Sequence, residues 1–466
     1  MKRKLSFIII IVLAISTSGY TQTTIPGGDV SGSWDISGSP YLIEGEITVL
    51  ANDTLTIDPG VEINFQGHHK LIVNGWLLAE GAEEDSILFT AADTSEGWHG
   101  IRFVDAPDNS HLSYCIIEQG YAAGSWPDMT GGGILCQNSH PVLTHCTIRN
   151  NDAVFGGGVY CYQSVPEIAY CEFTDNTAIR TFSPRGGGLY LNTCDPIVRN
   201  CLFSGNVTLW QGGAIVCDYS TAVILNCTIV GNECGTTATS GGGGIYVADS
   251  NPTIKNTIVA GNYGRGGIRF VSSPFTSISY CDFFDNQYED FWDNPIGNLG
   301  VMITVNANGD SCDAYYNVFE DPLFQNPPES NYSLSTNSPC IDAGDPVSPF
   351  DPDSTISDIG AFYYDQSLAI RLNPGANAVP SQLSINAHPN PFNPTTAISI
   401  QLSAGSEVNL SVYDISGRKV ATLIDGFRNA GSHEVTFDGS QLASGIYLYR
   451  LTAGEFSAVG KMVLMK

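Results

Sequence analysis

The chain has 466 residues, 50 of them glycine, with only 14% charged side chains and a formal net charge of −28. High glycine with few charges excludes a helical-bundle composition and points to a turn-rich β protein, long enough for two or three domains. The charge is unevenly spread: residues 23–383 carry 10 basic and 41 acidic groups, whereas 384–466 carry six of each. Such an acidic surface repels nucleic acid and anionic lipid, so neither is expected as a partner.

In chain order, residues 1–22 read as a signal peptide. Lys2-Arg3-Lys4 form a basic start, Phe7 to Ile15 an apolar core too short to span a bilayer, and Ser16, Ser18 and Gly19 a small-residue cleavage region. No second hydrophobic span follows, so the mature chain is expected outside the cytoplasm with no transmembrane helix. Residues 23–105 hold short alternating strands such as Ile47-Thr-Val-Leu50 and Val61-Glu-Ile-Asn-Phe65, bent at Asp58-Pro-Gly60 and Asn74-Gly75. They are expected to form an N-terminal cap and the first coils of a solenoid.

Residues 106–345 carry the repeat. One phrase recurs six times, opening with glycines and an aliphatic residue: Gly131-Gly-Gly-Ile134, then phrases ending at Val159, Leu189, Ile215, Ile245 and Ile268. Each copy closes on an asparagine: Asn151, Asn176, Asn206, Asn232, Asn262 or Asn286. The aliphatic-to-Asn interval is 17 residues in five copies and 18 in the sixth, while the exit from Asn to the next glycines varies from 3 to 9. A fixed core with variable exits at one corner is the mark of a solenoid whose coils stack as parallel strands. Trp98-His-Gly-Ile-Arg-Phe103 is a degenerate earlier opening.

Repeat positions also interpret the 13 cysteines. Cys115, Cys146, Cys171, Cys201, Cys227 and Cys281 share one position, and Cys136, Cys161 and Cys217 another. The same positions elsewhere hold Thr257, Leu191, Val247 or Phe270, so both are interior packing sites where Cys serves as a small hydrophobe. Cys194, Cys234, Cys312 and Cys340 fall off these columns, and Cys312–Cys340 is the expected disulfide. The Asn column is expected at a bend in left-handed conformation, with its amides bonded coil to coil.

The glycine-aliphatic opening and the Phe/Ile-x-x-Asn close resemble right-handed parallel β-helix repeats of the pectate-lyase-like superfamily, and also the repeats of polymorphic outer-membrane adhesins. That resemblance implies an all-β solenoid; the fold hosts lyases, hydrolases, adhesins and spacers alike. Residues 346–383 read as a closing segment and linker, the close resembling the ending of many exported bacterial β-helix proteins. Asp345, Asp351, Asp353 and Asp358 supply hard oxygen ligands suited to Ca²⁺, although their spacing matches no EF-hand loop.

Residues 384–466 hold six or seven strands in about 80 residues, with Asp414-Ile-Ser-Gly-Arg418 as a hairpin turn, and predict an immunoglobulin-like β-sandwich. Pro389-Asn-Pro-Phe-Asn-Pro394, Val412 to Val420, Leu442-Ala-Ser-Gly-Ile-Tyr447 and Lys461-Met-Val-Leu-Met-Lys466 resemble the C-terminal sorting domain of type IX secretion cargo. The resemblance implies outer-membrane secretion machinery as a partner and a secreted or outer-surface location.

Function is expected at the variable exits, because loops on a rigid scaffold carry binding residues. Tyr121, Trp126, Phe155, Arg180, Phe182, Arg185, Trp210, Tyr263 and Arg265 lie there, an aromatic and guanidinium set suited to stacking on sugars and bonding to their hydroxyls or carboxylates. The strand after the glycines reads Gln137, Tyr162, Asn192, Asp218, Ala248 and Val271 at its last position, with one carboxylate and no Lys or Arg. A hydrolase needs paired carboxylates. The expectation is therefore glycan or surface binding with no catalytic residues and no cofactor, the alternative being a polysaccharide lyase or glycoside hydrolase.

Overall fold

A computed structural model describes residues 22–180, 183–237, 239–306, 308–366, 384–390, 392–402, 406–414, 418–429, 431–453 and 456–466. Nearly all of the expected signal peptide, Phe182, most of the expected linker and the centre of the 414–418 turn lie outside the described residues. Two compact units divide at Asp365/Gln366.

The first unit winds three parallel sheets of 11, 11 and 10 strands around one interior. Within the coil after Gly133, the chain contributes Ile134–Gln137 to one sheet, Val142–Thr144 to the next and Thr147–Arg149 to the third. Every coil repeats that order in register, as in Ile134↔Val159↔Leu189↔Ile215↔Ile245↔Ile268. The degenerate opening fits the same register, Ile101 opposite Ile134. Among the described residues the first parallel strand is Thr23–Ile25, which pairs with Tyr41–Ile43 in one of the same sheets. After Phe291–Trp292 the described residues add one isolated parallel bridge, Asp282↔Val318, and two short antiparallel hairpins.

The interior is one continuous apolar column. Phe173 stacks on Phe203 with centroids 4.5 Å apart, and Cys115, Cys146, Cys171, Cys201, Cys227 and Cys281 are all buried. Neighbouring strands in a parallel sheet lie about 4.8 Å apart, so identical positions fall in contact without any further design.

Three polar columns turn the corners. Asn151, Asn176, Asn206, Asn232 and Asn262 are buried, and each donates both to a carbonyl of the preceding coil and to the next Asn: Asn206 Nδ2 reaches Phe173 O at 2.8 Å and Asn232 Oδ1 at 2.9 Å, while the half-buried Asn286 ends the run on Asp290. The left-handed residue is the one before the ladder, not the Asn as expected: Asn150, Asp175, Gly205, Gly231, Gly261 and Asp285 have φ between 49° and 65°. That frees the Asn amide to point inward along the stack. A second column, unforeseen, runs through Ser139, Ser164, Ser220, Ser250 and Ser273, where a backbone N–H reaches the next hydroxyl, as in Ser220 N to Ser250 Oγ at 2.8 Å. Cys194 lies off the two Cys columns, as expected, and occupies this one instead, its N–H bonded to Ser220 Oγ at 3.2 Å. The third column is a left-handed corner at Tyr114, His145, Tyr170, Asn200, Asn226, Asn256 and Tyr280. The first glycine of each opening also has positive φ. At Gly156 (φ 64°) a Cβ would lie 2.3 Å from Val159 O, so only glycine fits.

Cys312 and Cys340 share a satellite core but are free thiols, so the expected disulfide is absent. The physical reason lies in the partner: Cys340 Sγ sits 3.4 Å from the buried Asp282 carboxylate and donates to it.

The second unit pairs a three-stranded and a four-stranded antiparallel sheet around Ile398, Leu410, Val412, Phe437, Leu451 and Met462. Its proline-rich entry is bonded to the last strand. Phe392 is buried and its N–H bonds Val463 O at 2.9 Å, while Asn390 exchanges bonds with Lys461 O and Val463 N. Two of the motifs quoted above are thus halves of one contact.

Candidate functional site

The exits leave from the corner between the Asn-terminated strands and the glycine-preceded strands, and they fold over the outer face of the latter. Side chains alternate along a strand, so the residue after each opening aliphatic points outward. That row is Leu135, Tyr160, Tyr190, Val216 and Tyr246, and the exits bury it into a second small apolar cluster with Phe155 and Tyr162 at its margin. Arg102 and Arg269 continue the row in the flanking coils. Sequence reading missed this row, although the position one beyond the aliphatic was the signal.

The expected edge residues meet this row unequally. Trp126 is 52% exposed and packs edge-on to Tyr162, centroids 5.8 Å apart. Phe155 is half-buried and stacks on Tyr190 at 5.7 Å. Arg185 lies 4.7 Å over Trp210 and 3.4 Å from Asp218, while Tyr190 Oη donates to the same Asp218 oxygen at 2.7 Å. Trp210 Nε1 donates to Thr239 Oγ1 at 3.2 Å. Tyr263 is 55% exposed, and Arg265 covers Trp292 at 4.6 Å, away from the Arg185 group. At the other end Arg180 lies 4.0 Å over Tyr121, donates to its hydroxyl at 2.9 Å and pairs with Asp152.

Beside Tyr121 the structure gathers residues the sequence left scattered. His68 and His99 rings meet at 4.7 Å, His68 Nε2 lies 2.6 Å from Tyr121 O, and Lys70 pairs with Asp128 at 2.8 Å. Arg102 is buried and donates to the His99 and Thr130 carbonyls. Burial pulls its pKa down to about 9, and burial together with the Arg102, His68 and Lys70 charges pulls His99 down to about 3, which keeps that imidazole neutral. Burial raises Tyr160 to about 12 and raises Asp152 above the usual carboxylate range against the opposing pull of Arg180.

Three other histidines have structural partners: His111 with Glu80, His140 with Val165 N, and His145 stacked between Tyr114 and Tyr170. The four acidic residues considered for Ca²⁺ are engaged separately. Asp345 pairs with Lys255, Asp353 accepts from Thr355, and Asp351 and Asp358 accept backbone amides. Among the described residues no group of three or more His, Cys, Asp or Glu is placed to hold a metal ion. Among the same residues, no helix is long and apolar enough to cross a membrane.

Comparison with known proteins agrees with this architecture. Residues 95–249 match the family described as a right-handed beta helix region, and residues 386–465 match the secretion system C-terminal sorting domain. The chain is similar to Protein bark beetle of Drosophila melanogaster, 33% identical over 102 residues, which is 20% of this chain and 3% of that protein. No solved structure matches. The chain is a right-handed parallel β-helix protein carrying a C-terminal type IX secretion sorting domain, and it is secreted or held at the cell surface.

Proposed function

We propose that the β-helix binds saccharide chains along the exit edge without transforming them. The observation that carries this reading is the pairing of exposed rings with occupied charges. Trp126 and Tyr263 stand more than half exposed on that edge, whereas the one carboxylate of the neighbouring strand row, Asp218, is held by Tyr190 and Arg185. Rings stack on the apolar faces of sugars whatever the linkage, but hydrolysis needs two free carboxyl groups. Arg180 and Arg185 brace Tyr121 and Trp210 as cation–π partners, which fixes the rings before a ligand arrives and lowers the ordering cost of binding. Delivery outside the cell by residues 384–466 places such an edge where polysaccharides are met.

The mature protein is incubated with a panel of acidic and neutral polysaccharides. Retention with no new reducing ends and no unsaturated products supports binding. Either product shows the alternative, a polysaccharide lyase or glycoside hydrolase. Neither retention nor product shows a spacer.

A further inference from the structure

The segment after the last coil covers more than the end of the helix. Residues 345–363 fold back along the flank and attach to the left-handed corner. Asp345 N donates to Asn256 Oδ1 at 2.9 Å, Asn226 Nδ2 to Ser357 Oγ at 2.9 Å, and Gly360 N to Asn256 O at 2.9 Å. Between this segment and the coils bearing Tyr170 and Arg199 lies a cavity of about 730 Å³. One wall is aromatic. Tyr170 stacks on His145 at 4.9 Å and is 46% exposed; Phe350 and Tyr363, from the closing segment, are 64% and 42% exposed. Rings left this open around a formed cavity are a recognition surface rather than core.

The other wall is acidic. Asp358 is fully used, its two oxygens accepting Asp342 N and Tyr364 N at 2.7 Å. Asp351 accepts Asp358 N on Oδ2 at 2.8 Å, and its Oδ1 receives no hydrogen bond among the described residues. The nearby cations are already engaged: Arg199 pairs with Glu167 at 2.8 Å and lies over the Tyr170 ring at 5.2 Å, and Lys255 pairs with Asp345. A carboxylate with a free oxygen, in a cavity lined by exposed rings whose cations are engaged with other partners, has the composition of a cation cage.

We propose that this cavity binds an organic ammonium ion, its apolar body against Phe350 and Tyr363 and its charge on Asp351. An amino sugar and an alkylammonium share that chemistry. The inference does not rest on the saccharide-binding reading, because the cavity lies on a different corner of the coil from the exits.

The groups facing Asp351 set its pH response: Asp342, Asp353 and Asp358 from the closing segment, with Arg199, Tyr170 and Tyr363 lining the cavity. Burial, with Asp353 and Asp342 adding to it against the amide of Asp358, raises the Asp351 carboxyl to about 6. Ammonium binding therefore strengthens as pH rises through that value and weakens about tenfold for each unit below it.

The test is calorimetric titration of the full mature protein at pH 7.5 and 5 with the glucosamine dimer and with choline. N,N′-diacetylchitobiose and tert-butanol are the uncharged controls. Binding of choline that is about tenfold weaker at pH 5, or binding of the glucosamine dimer at pH 7.5, in either case abolished in Asp351→Asn and weakened in Phe350→Ala, supports the site and tells which source it accepts. Phe350 projects into solvent, so its loss leaves the fold intact. No binding of either probe at millimolar concentration overturns the inference. So does equal binding of the uncharged controls, or an Asp351→Asn variant that binds like the parent.

Discussion

Replacing Asn206 by Ala tests the stacking logic at its centre. Asn206 is fully buried and makes four side-chain hydrogen bonds. It donates to Phe173 O and Asn232 Oδ1 at 2.8 and 2.9 Å, and accepts from Asn176 N and Nδ2 at 3.1 and 2.9 Å. The substitution leaves the backbone N–H and one amide N–H of Asn176 without acceptors in a dry interior. A stranded buried group costs about 1–3 kcal/mol, so two of them with partial relaxation give about 3–4 kcal/mol. All six tryptophans, Trp292 being the last, precede the sorting sandwich, so indole fluorescence in urea follows the helix unit alone. An exposed control, Leu209→Ser at 58% exposure, should stay within about 0.5 kcal/mol of the parent. A loss below about 1 kcal/mol in Asn206→Ala, with the control unchanged, would refute the claim that the ladder holds the coils together.

Other perturbations follow from the same geometry. Gly156→Ala should destabilise by at least about 1–2 kcal/mol in the same urea assay, because its φ of 64° and the nearby Val159 carbonyl exclude a side chain. Ellman titration should find all 13 thiols silent in the native protein and all 13 reactive after denaturation without reductant; a lower denatured count would reveal disulfides. Burial raises Asp282 to about 8 in the folded state, so the native protein holds a proton the unfolded chain has already released above about 4. Stability due to this group therefore falls as pH rises from about 4 to 8 and levels off beyond. Asp282→Asn should be more stable than the parent at pH 8, with the advantage gone at pH 4, as read by thermal unfolding at the two pH values.

Much of the column was legible because identical positions stack: Ile134 and its five equivalents, the ladder asparagines and the Cys column could be aligned by counting alone. Positions occupied by unlike residues were harder. The left-handed corner holds Tyr, His and Asn in turn, united by φ rather than by chemistry. Cys194 stands in for serine, which conceals the column it belongs to. The outward row at Tyr160, Tyr190 and Tyr246 follows from strand alternation, but its burial depends on exits whose path no local pattern dictates. The fold-back of residues 345–363 onto Asn226 and Asn256 joins positions 89 to 132 residues apart, beyond any local signal. At the expected edge, exposure at Trp126 and Tyr263 followed from loop placement, whereas the engagement of Arg180 and Arg185 with Asp152 and Asp218 needed coordinates.

Affinity electrophoresis of the mature protein through gels containing each retained polysaccharide, with Trp126→Ala and Tyr263→Ala alongside the parent, tests the central claim most directly. The account predicts retarded migration of the parent, reduced retardation in both variants, unchanged urea midpoints, and no reducing or unsaturated ends in the gel. Undiminished retardation in both variants, or sugar released by the parent, would contradict it.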